Sequence, residues 1–302
     1  MTDQSYEDLR PLLFSIAYRM LGSVSEAEDI VQEAFLRFHK ATSEGEEVES
    51  AKAFLSTITT RLAIDHLRSA RVRRESYVGE WLPEPLVVDE RSDTARHAEM
   101  SDSLSMAFLQ VLETLSPVER AVFLLHDVFD YGYGEIAEMV GKSEVNSRQI
   151  ATRARQRVKD GTPRFEATAE EGEELAHRFL AALQEGDVEE LVEVLTDDVA
   201  LHGDGGGIAA ASPKPVFGRE RVARFLGGAF RRARELKVTL RYAVVNGQPG
   251  GLSYDADGRV ANAFAFDIAE GGIQTIRSVV NPDKLGHLGP VSDVARLPRP
   301  RR

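Results

Sequence analysis

Apolar residues recur at helical spacing through the first half of the chain and at alternate positions through its last third. The helical spacing predicts amphipathic helices at 12–21, 25–38, 53–68, 100–115, 117–128, 134–140 and 144–159. Beyond residue 169 it predicts helices at 170–184, 187–195 and 219–234, and the alternation then predicts strands at 237–245, 251–254, 259–268 and 272–280. The pattern therefore indicates an all-α part followed by an α+β domain with a curved antiparallel meander.

The segment 133–159 predicts a short helix, a tight turn and a longer helix. Gly141 suits the turn because a residue without Cβ tolerates positive φ, and Ser143 can cap the helix that follows. From 142 to 159, six cations are opposed by one carboxylate, a local charge of +5 (Lys142, Arg148, Arg153, Arg155, Arg157, Lys159 and Glu144). This pattern is typical of a helix-turn-helix, which places side chains against base edges and phosphates. The alternative is a solvated basic helix on the surface of a bundle.

The basic segment contrasts with the whole chain, whose 302 residues carry a net charge of −12. A second basic patch follows the helix predicted at 53–68 and contains Arg68, Arg71, Arg73 and Arg74. Phosphate contacts supply most of the affinity of a protein for DNA. An acidic chain that touches DNA only through local patches therefore needs a larger partner.

Composition excludes several kinds of site. The chain has no cysteine, which rules out disulfides and thiolate zinc sites, and its seven histidines show no HExxH spacing. No apolar run approaches the roughly 20 residues that span a bilayer, and the N-terminus lacks the pattern of a secretory signal. We expect a soluble cytoplasmic protein of two or three domains, with no metal, cofactor or membrane partner.

Two segments of the first half resemble the extracytoplasmic-function sigma factors. AEDIVQEAFLRF followed by KAFLSTITTRLAIDHLRSARVRR is similar to their region 2, and LSPVERAVFLLHDVFDYGYGEIAEMVGKSEVNSRQIATRARQRV is similar to their region 4. The two matches span about 5–159. The resemblance implies an alternative sigma subunit that binds core RNA polymerase, directs recognition of the −35 and −10 promoter elements, and catalyses no reaction itself.

The resemblance also implies roles for particular residues. Periodicity alone would make the face formed by Asp29, Gln32 and Glu33 an ordinary solvated face. The resemblance instead places this face on the clamp helices of the polymerase β′ subunit, and it implies that the β flap is also part of the polymerase partner. The residues expected at the −10 element are Arg61, Arg68 and Arg71. Those expected at the −35 element are Arg148, Gln149, Thr152 and Arg153, with Arg155 on phosphates or in solvent.

The loop at 41–50 departs from the family pattern. In the family, this loop helps to capture a flipped base of the −10 element, whereas here it carries Glu44, Glu46, Glu47 and Glu49. Four carboxylates should repel a DNA backbone. Either they point away from the DNA or the −10 element is read by the following helix alone.

The segment 75–96 has the acidic, proline-bearing composition of a linker. It contains WLPEPL, whose prolines favour extended backbone, and Trp81 is the single tryptophan of the chain. A passive linker gains nothing by exposing so large an apolar side chain, so we expect Trp81 to dock. WLPEPL also resembles the linker signature of the branch of these sigma factors that carries a fused C-terminal SnoaL-like domain.

The span 170–285 resembles that SnoaL-like, nuclear-transport-factor-two-like fold, an α+β cone. DGGG at 204–207 and NPDKL at 281–285 are similar to hallmarks of the fused branch, in which this domain replaces a separate anti-sigma factor. We expect both motifs to face the linker, with Trp81 as the apolar anchor. The regulatory set is Trp81, Leu82, Pro83, Asp204, Gly205, Gly206, Gly207, Asn281, Pro282 and Asp283.

Other functions remain open for the cone. DGGG lacks the GK[ST] ending of a P-loop, which favours a tight turn or a close backbone contact over a phosphate cradle. His202, Asp204 and Asp267 are the candidates for the proton-transferring group of SnoaL-like cyclases and ketosteroid isomerases, but their spacing does not show that they converge. The alternatives are a stand-alone helix-turn-helix regulator with a ligand-sensing cone, and a cone enzyme. The region 2 match favours the sigma factor, since a stand-alone regulator has no use for a polymerase-docking helix.

These assignments divide the chain into six parts. We expect region 2 at 1–74, a linker at 75–96, region 4 at 97–160, a second linker at 161–169, the SnoaL-like domain at 170–285 and a flexible tail at 286–302. The expected fold class is multidomain, with two all-α sigma domains followed by an α+β cone.

Overall fold

The structure is a computed structural model that describes residues 3–75, 77–87, 102–161, 168–269 and 271–294. The chain packs into two compact units. Unit 1 comprises Met1–Glu75 and Phe108–Thr162, and unit 2 comprises Ser76–Ala107 and Pro163–Arg302. Glu75, the first residue of the linker predicted at 75–96, belongs to unit 1, whereas the described residues 77–87 of the linker belong to the same unit as the α+β domain. No described helix is long and apolar enough to cross a membrane.

Unit 1 is helical and joins the segments that resemble regions 2 and 4. The first of these segments forms α1 (Asp3–Leu21), α2 (Val24–Ser43) and α3 (Ala51–Glu75). The second forms α4 (Met106–Leu112, whose first two residues belong to unit 2), α5 (Pro117–Phe123), a π-helical turn (Leu124–Val128), α6 (Tyr133–Val140) and α7 (Glu144–Gly161). The buried side of α2 matches its apolar periodicity: Val24, Ala27, Ile30, Val31, Ala34, Phe35 and Phe38.

Several predicted helix boundaries in unit 1 are wrong: α1 begins at Asp3 and not at 12, α2 ends at Ser43 and not at 38, and α3 ends at Glu75 and not at 68. The hydroxyl of Ser23 accepts a hydrogen bond from the Glu26 amide at 3.2 Å, so α2 begins at Val24 and not at 25. The helix predicted at 100–115 is shorter, because a 3₁₀ turn at Asp102–Leu104 precedes Met106, where α4 begins. Residues 100 and 101 lie outside the described residues.

Unit 2 packs three helices against one face of a sheet. The helices are α8 (Ala169–Glu185), α9 (Val188–Glu193) and α10 (Arg219–Glu235). Among the described residues the sheet has the order β2-β1-β6-β5-β4-β3. Its strands are β1 (Leu195–Asp204), β2 (Val216–Phe217), β3 (Thr239–Val245), β4 (Gln248–Tyr254), β5 (Val260–Ala269) and β6 (Gly272–Val279).

The alternation of side chains along β5 separates two cores. Phe264, Phe266 and Ile268 belong to the core on the helical side of the sheet. Ala263 and Ala265 belong to a second core, which also contains Leu82 of the linker. Because successive side chains of a strand point to opposite faces, the linker covers the face of the sheet that the helices leave uncovered.

The meander was predicted, but the first two strands were not. The helix predicted at 187–195 ends at Glu193, and β1 starts at Leu195 and pairs in parallel with β6. The sheet is therefore mixed, whereas the other paired strands are antiparallel as expected. Asn246 and Gly247, with φ of 54° and 71°, form the turn between β3 and β4. An Asn-Gly pair between two strands is a sequence signal for a hairpin, although no turn is predicted here above.

The segment predicted as a flexible tail is ordered over its described part. After the 3₁₀ turn Gly286–Leu288, the chain runs beside the start of β5. The Val260 amide donates to the Pro290 carbonyl at 2.9 Å, and the Ser292 amide donates to the Val260 carbonyl at 2.8 Å. These backbone bonds hold residues 286–294 to the domain, so the expectation of a tail beginning at 286 is wrong. Residues 295–302 lie outside the described residues.

Candidate nucleic-acid interface and linker-binding site

The helix-turn-helix forms as its sequence predicts. Gly141 ends α6 with φ of 66°, the left-handed conformation that favours glycine. The Ser143 hydroxyl accepts a hydrogen bond from the Asn146 amide at 3.2 Å, which caps α7. The inner face of α7 is buried, and it consists of Ser147, Ile150, Ala151, Ala154 and Val158. The opposite face presents Arg148, Gln149, Thr152 and Arg153, all exposed.

The exposed arginines of α7 differ in how firmly they are held. Arg148 makes an ion pair with Glu144 at 2.6 Å and lies over the ring of Tyr133, 4.8 Å from its centroid. Arg155 donates to Asp127 at 2.6 Å and to the Tyr133 hydroxyl at 3.1 Å. The hydrogen bond to Asp127 raises the pKa of Arg155. Arg155 is therefore held by its own domain, whereas the side chains of Gln149 and Arg153 make no hydrogen bond or ion pair with the described residues.

Arg61, expected at the −10 element, binds the first helix of the helix-turn-helix. Its guanidinium donates to the Met139 carbonyl at 3.0 Å and to the Glu138 carbonyl at 2.8 Å, at the C-terminal end of α6. Arg68 pairs with Asp65 at 2.9 Å on the exposed side of α3. Arg71 lies in α3, but its side chain is outside the described residues.

Two further contacts join the region 2 and region 4 segments inside unit 1. The hydroxyls of Ser56 and Tyr131 share a buried hydrogen bond of 2.8 Å. The buried Arg120 donates to the Met20 carbonyl at 2.6 Å and pairs with Glu113 at 2.8 Å. Burial lowers the pKa of Arg120 to about 9. Region 2 and region 4 thus form one packed body, in which Arg61 is engaged with protein.

The predicted polymerase-binding face lies on the exposed side of α2. Asp29 and Gln32 are exposed, and Glu33 accepts a hydrogen bond from Arg37 at 2.7 Å. Leu36 lies on the same face and is 59% exposed. Leu36 is not among the residues predicted for this face, although its spacing of four and three residues from Gln32 and Glu33 places it beside them.

Asp204, at the end of β1, is the centre of the linker-binding site. Its side chain is fully buried and accepts hydrogen bonds on both oxygens. Oδ1 accepts from the Tyr77 hydroxyl at 2.5 Å and from the Gly206 amide at 3.1 Å. Oδ2 accepts from the Leu82 amide at 2.9 Å and from the Lys284 ammonium at 2.7 Å. One carboxylate thus connects two linker residues to the DGGG and NPDKL motifs.

Lys284 and Asn281 supply the NPDKL side of this site. The Lys284 ammonium also donates to the Leu82 carbonyl, and it lies 4.2 Å from the centroid of the Trp81 ring. Asn281 donates to the Tyr77 hydroxyl at 2.8 Å. Burial, followed by the hydrogen bond to Asp204, raises the pKa of Tyr77. The site therefore favours the neutral phenol.

The DGGG glycines are needed for close approach between segments. Gly206 has φ of 59°, and a Cβ there would lie 2.4 Å from the side-chain nitrogen Nδ2 of Asn281. A Cβ on Gly205 would lie 2.3 Å from the Ala209 carbonyl oxygen. These distances favour the tight-turn interpretation of the motif over a phosphate cradle.

Leu82, and not Trp81, is the apolar anchor of the linker. Leu82 is fully buried in the core with Met106, Val245, Ala263, Ala265, Val279 and Leu285. Trp81 is only partly buried and covers the Lys284 ammonium. The prediction for Trp81 is wrong in this respect, because neighbouring residues of an extended segment point in opposite directions and only Leu82 faces the sheet.

The linker is also held beyond WLPEPL. Leu86 exchanges two hydrogen bonds with Asn246, of 2.9 and 2.8 Å. Further along, the Met106 amide at the start of α4 donates to the Gln248 side chain at 3.1 Å. Gln248 in turn donates to Asp267, which pairs with Arg277 at 2.6 Å. The cone thus contacts both described ends of the segment between α3 and region 4.

The three candidates for proton transfer are all occupied by other contacts. His202 lies 2.7 Å from Glu80 of the linker, Asp204 binds Tyr77 and Leu82, and Asp267 pairs with Arg277. On β1 and β5 they alternate with residues of the helical-side core, so they face the linker side of the sheet. The described residues contain no group of histidines and carboxylates arranged to hold a metal ion.

Known protein families match the segments of the helical unit and the α+β domain of the second unit. The sequence matches the family descriptions Sigma-70 region 2 over residues 5–73, Sigma-70, region 4 over 105–158, and SnoaL-like domain over 176–280.

Similar chains come from Mycobacterium tuberculosis. The ECF RNA polymerase sigma factor SigJ is 36% identical over 94% of this chain and 93% of its own length. The probable ECF RNA polymerase sigma factor SigI is 32% identical over 92% of this chain and 93% of its own length. The crystal structure of SigJ matches with a TM-score of 0.73, at 32% identity, over 94% of this chain and 98% of the other. The chain belongs to the extracytoplasmic-function sigma factors of RNA polymerase that carry a SnoaL-like C-terminal domain.

Proposed function

We propose that this sigma factor binds core RNA polymerase through α2, reads the −35 element through α7 and the −10 element through α3, and catalyses no reaction itself. The observation that carries the proposal is the exposed face of α7. It combines Arg148, Gln149 and Arg153 on a helix whose other side is buried. Arginine can bind guanine bidentately and glutamine can bind adenine, so this face can read base edges in a major groove.

The exposed face of α2 supports the polymerase contact. Asp29, Gln32, Glu33 and Leu36 combine charge with one exposed apolar side chain. We assign this face to the clamp helices of the β′ subunit, and region 4 to the β flap. A chain with this role works in the cytoplasm, where it meets polymerase and promoter DNA.

The packing of unit 1 implies a conformational step. Arg61 donates hydrogen bonds to the carbonyls of Glu138 and Met139. These hydrogen bonds must break before Arg61 can bind DNA at the −10 element. Arg68 and Arg71, which we assign to the same element, lie further along α3. We infer that regions 2 and 4 separate when the two promoter boxes are bound.

A run-off transcription assay tests the sigma function. Core polymerase and a promoter template are incubated with and without the purified chain. We expect promoter-dependent transcripts only with the chain. A stand-alone regulator or a cone enzyme would produce none, and tight binding of the free chain to duplex DNA would favour the regulator.

We further propose that the SnoaL-like domain regulates the sigma domains through the linker, in place of a separate anti-sigma factor. The buried contacts of Asp204 with Tyr77, Leu82 and Lys284 support this proposal, since they couple linker position to the domain. The contacts that occupy His202 and Asp267 support a binding role over a catalytic one.

The substitution Asp204→Asn tests the regulatory proposal. It removes the charge that neutralises the buried Lys284, which should release the linker and change the yield of run-off transcript severalfold. The matched control is Asp197→Asn, whose side chain is 94% exposed. Equal transcript yields from both variants and the unaltered chain would contradict a regulatory role for this contact.

A further inference from the structure

Helix α10 exposes a basic face that the proposed function does not use. Between Arg219 and Lys237 the chain carries seven basic and two acidic residues, a net charge of +5 in a protein whose total is −12. The exposed cations at the centre of this stretch, which we call the α10 arginine face, are Arg221, Arg224, Arg231 and Arg232.

The packing of α10 explains why these arginines share one face. Val222, Ala223, Leu226 and Phe230 are buried in the core on the helical side of the sheet. The exposed positions 221, 224, 228, 231 and 232 therefore follow the spacing of the opposite side of the helix. From Arg221 to Arg232 the face is about 16 Å long, at 1.5 Å per residue.

Small residues lie between the two pairs of arginines. Gly228 and Ala229 are exposed at the middle of the face, and a Cβ on Gly228 would meet no atom within 4 Å. A flat ligand surface can therefore approach the helix backbone between the arginines. Phe225, which is 43% exposed, adds one apolar side chain.

The cations of this face are weakly neutralised by the protein. Arg224 has a 3.7 Å contact with Glu220, and both side chains are largely exposed. Arg221, Arg231 and Arg232 make no ion pair within the part of the chain that the structure describes. Exposed ion pairs contribute little energy, so the whole face keeps its positive charge available for a partner.

The face is also independent of the linker-binding site. The linker covers the side of the sheet that carries Ala263 and Ala265, whereas α10 packs on the side that carries Phe264 and Phe266. Docking of the linker therefore leaves the arginines uncovered within unit 2.

We propose that the α10 arginine face is a third DNA-contacting surface, which binds the phosphate backbone of the duplex held by the polymerase complex. Guanidinium groups bind phosphate oxygens bidentately, and a basic stripe along a helix is the electrostatic footprint of nucleic-acid binding. Contacts to phosphates do not depend on base sequence. The surface adds affinity without changing promoter choice. This inference rests on the proposed sigma function, because the acidic free chain has no other means of staying on DNA.

The test measures binding of the assembled polymerase complex to a labelled promoter duplex at several salt concentrations. The variant is Arg221→Gln/Arg231→Gln/Arg232→Gln. We expect an affinity on the order of tenfold lower at low salt, and a smaller slope of log affinity against log salt, by about 0.9 for each phosphate that the variant no longer neutralises. Promoter preference should stay the same.

The matched control is Lys214→Gln/Arg241→Gln/Arg259→Gln, which removes the same charge from exposed positions of the same domain away from α10. We expect this control to bind DNA like the unaltered complex, and thermal unfolding should show that both variants remain folded. Unchanged DNA binding by the α10 variant would overturn the proposal, as would an equal loss of affinity in the control.

Binding of each variant to core polymerase without DNA completes the test. Unchanged affinity for the core supports the DNA surface. A loss of affinity for the core shows instead that α10 binds an acidic protein surface, which overturns the proposal. Failure of the unaltered complex to bind its promoter would contradict the sigma function itself, and the DNA surface with it.

Discussion

Leu82 and Trp81 show how neighbouring residues of one motif take different roles. Leu82 packs against alanines of β5, whereas Trp81 lies over the Lys284 ammonium. Composition draws attention to the tryptophan because it is the largest apolar side chain of the chain. Which of two adjacent side chains is buried depends on the direction in which the linker meets the sheet, and this direction cannot be read from the linker sequence.

The substitutions Leu82→Ala and Trp81→Ala should therefore differ in effect. Leu82→Ala leaves a cavity in a closed core, and we expect it to lower the free energy of unfolding of unit 2 by about 2–5 kcal/mol. Trp81→Ala should cost less, because the side chain is only partly buried. Urea unfolding followed by circular dichroism measures both. A larger destabilisation by Trp81→Ala would show that Trp81, and not Leu82, is the apolar anchor of the linker.

Run-off transcription extends this comparison to function. Both substitutions should alter promoter-dependent transcription, with the larger change for Leu82→Ala. Limited proteolysis should show that unit 1 remains folded in both variants. Transcript yields equal to those of the unaltered chain would show that linker docking does not control transcription.

The Tyr77 phenol gives linker docking a dependence on alkaline pH. Its pKa is raised in the folded protein, because burial and the nearby Asp204 disfavour the phenolate. A raised pKa contributes stability that is fully present below the unfolded value of about 10 and declines as the pH rises above it. We therefore expect the urea midpoint of unit 2 to fall above pH 10. Tyr77→Phe should show a smaller decline, and an identical decline would exclude Tyr77 as the cause.

At the scale of elements, strong periodicity was sufficient for most of the fold. Strands β3 to β6 and helices α8 and α10 lie within a few residues of their predicted bounds. β1 was not predicted, because its first half carries Asp197 and Asp198 at exposed positions and interrupts the apolar alternation. Its place in the sheet depends on parallel pairing with β6, more than 70 residues away, which no local pattern specifies.

The contact between regions 2 and 4 is another long-range feature that the sequence did not reveal. Arg61 is predicted to lie on the surface at the −10 element, but its guanidinium donates hydrogen bonds to two carbonyls at the C-terminal end of α6. Helix C-termini carry partial negative charge, which attracts a guanidinium. The same positive charge can thus serve a packed state and a DNA-bound state.

The substitution Tyr131→Phe should weaken the packed state without removing a residue assigned to DNA. It breaks the buried hydrogen bond to Ser56, worth about 1 kcal/mol, or roughly a fivefold shift toward separated regions. We expect more transcript at limiting concentrations of the chain and a larger distance between α2 and α7 by fluorescence energy transfer. A drop in transcript with the distance unchanged would contradict a restraining role for this hydrogen bond.

At the scale of the molecule, charge is distributed unevenly. The net charge of −12 coexists with basic stretches on α3, α7 and α10. Each stretch is too short to hold DNA against the repulsion of the rest, so several must act together on a polymerase that keeps the DNA in place.

The free chain should consequently bind promoter duplex poorly at ordinary salt, and the assembled complex should bind it tightly. Titration of a labelled duplex with each species measures the difference, which we expect to be at least about a hundredfold. A chain of the same length and charge but unrelated sequence controls for nonspecific effects. Tight binding by the free chain would show that its own surfaces are sufficient.

The position of Trp81 provides an optical signal for the linker. The chain contains a single indole, and that indole rests on a buried cation that should quench or shift its emission while the linker is docked. Fluorescence excited at the red edge of the absorption spectrum therefore reports on the linker alone in a protein of 302 residues, without any attached dye. Release of the linker during polymerase assembly can be followed in real time by stopped-flow fluorescence, provided that the tryptophans of the polymerase are subtracted with a Trp81→Phe reference.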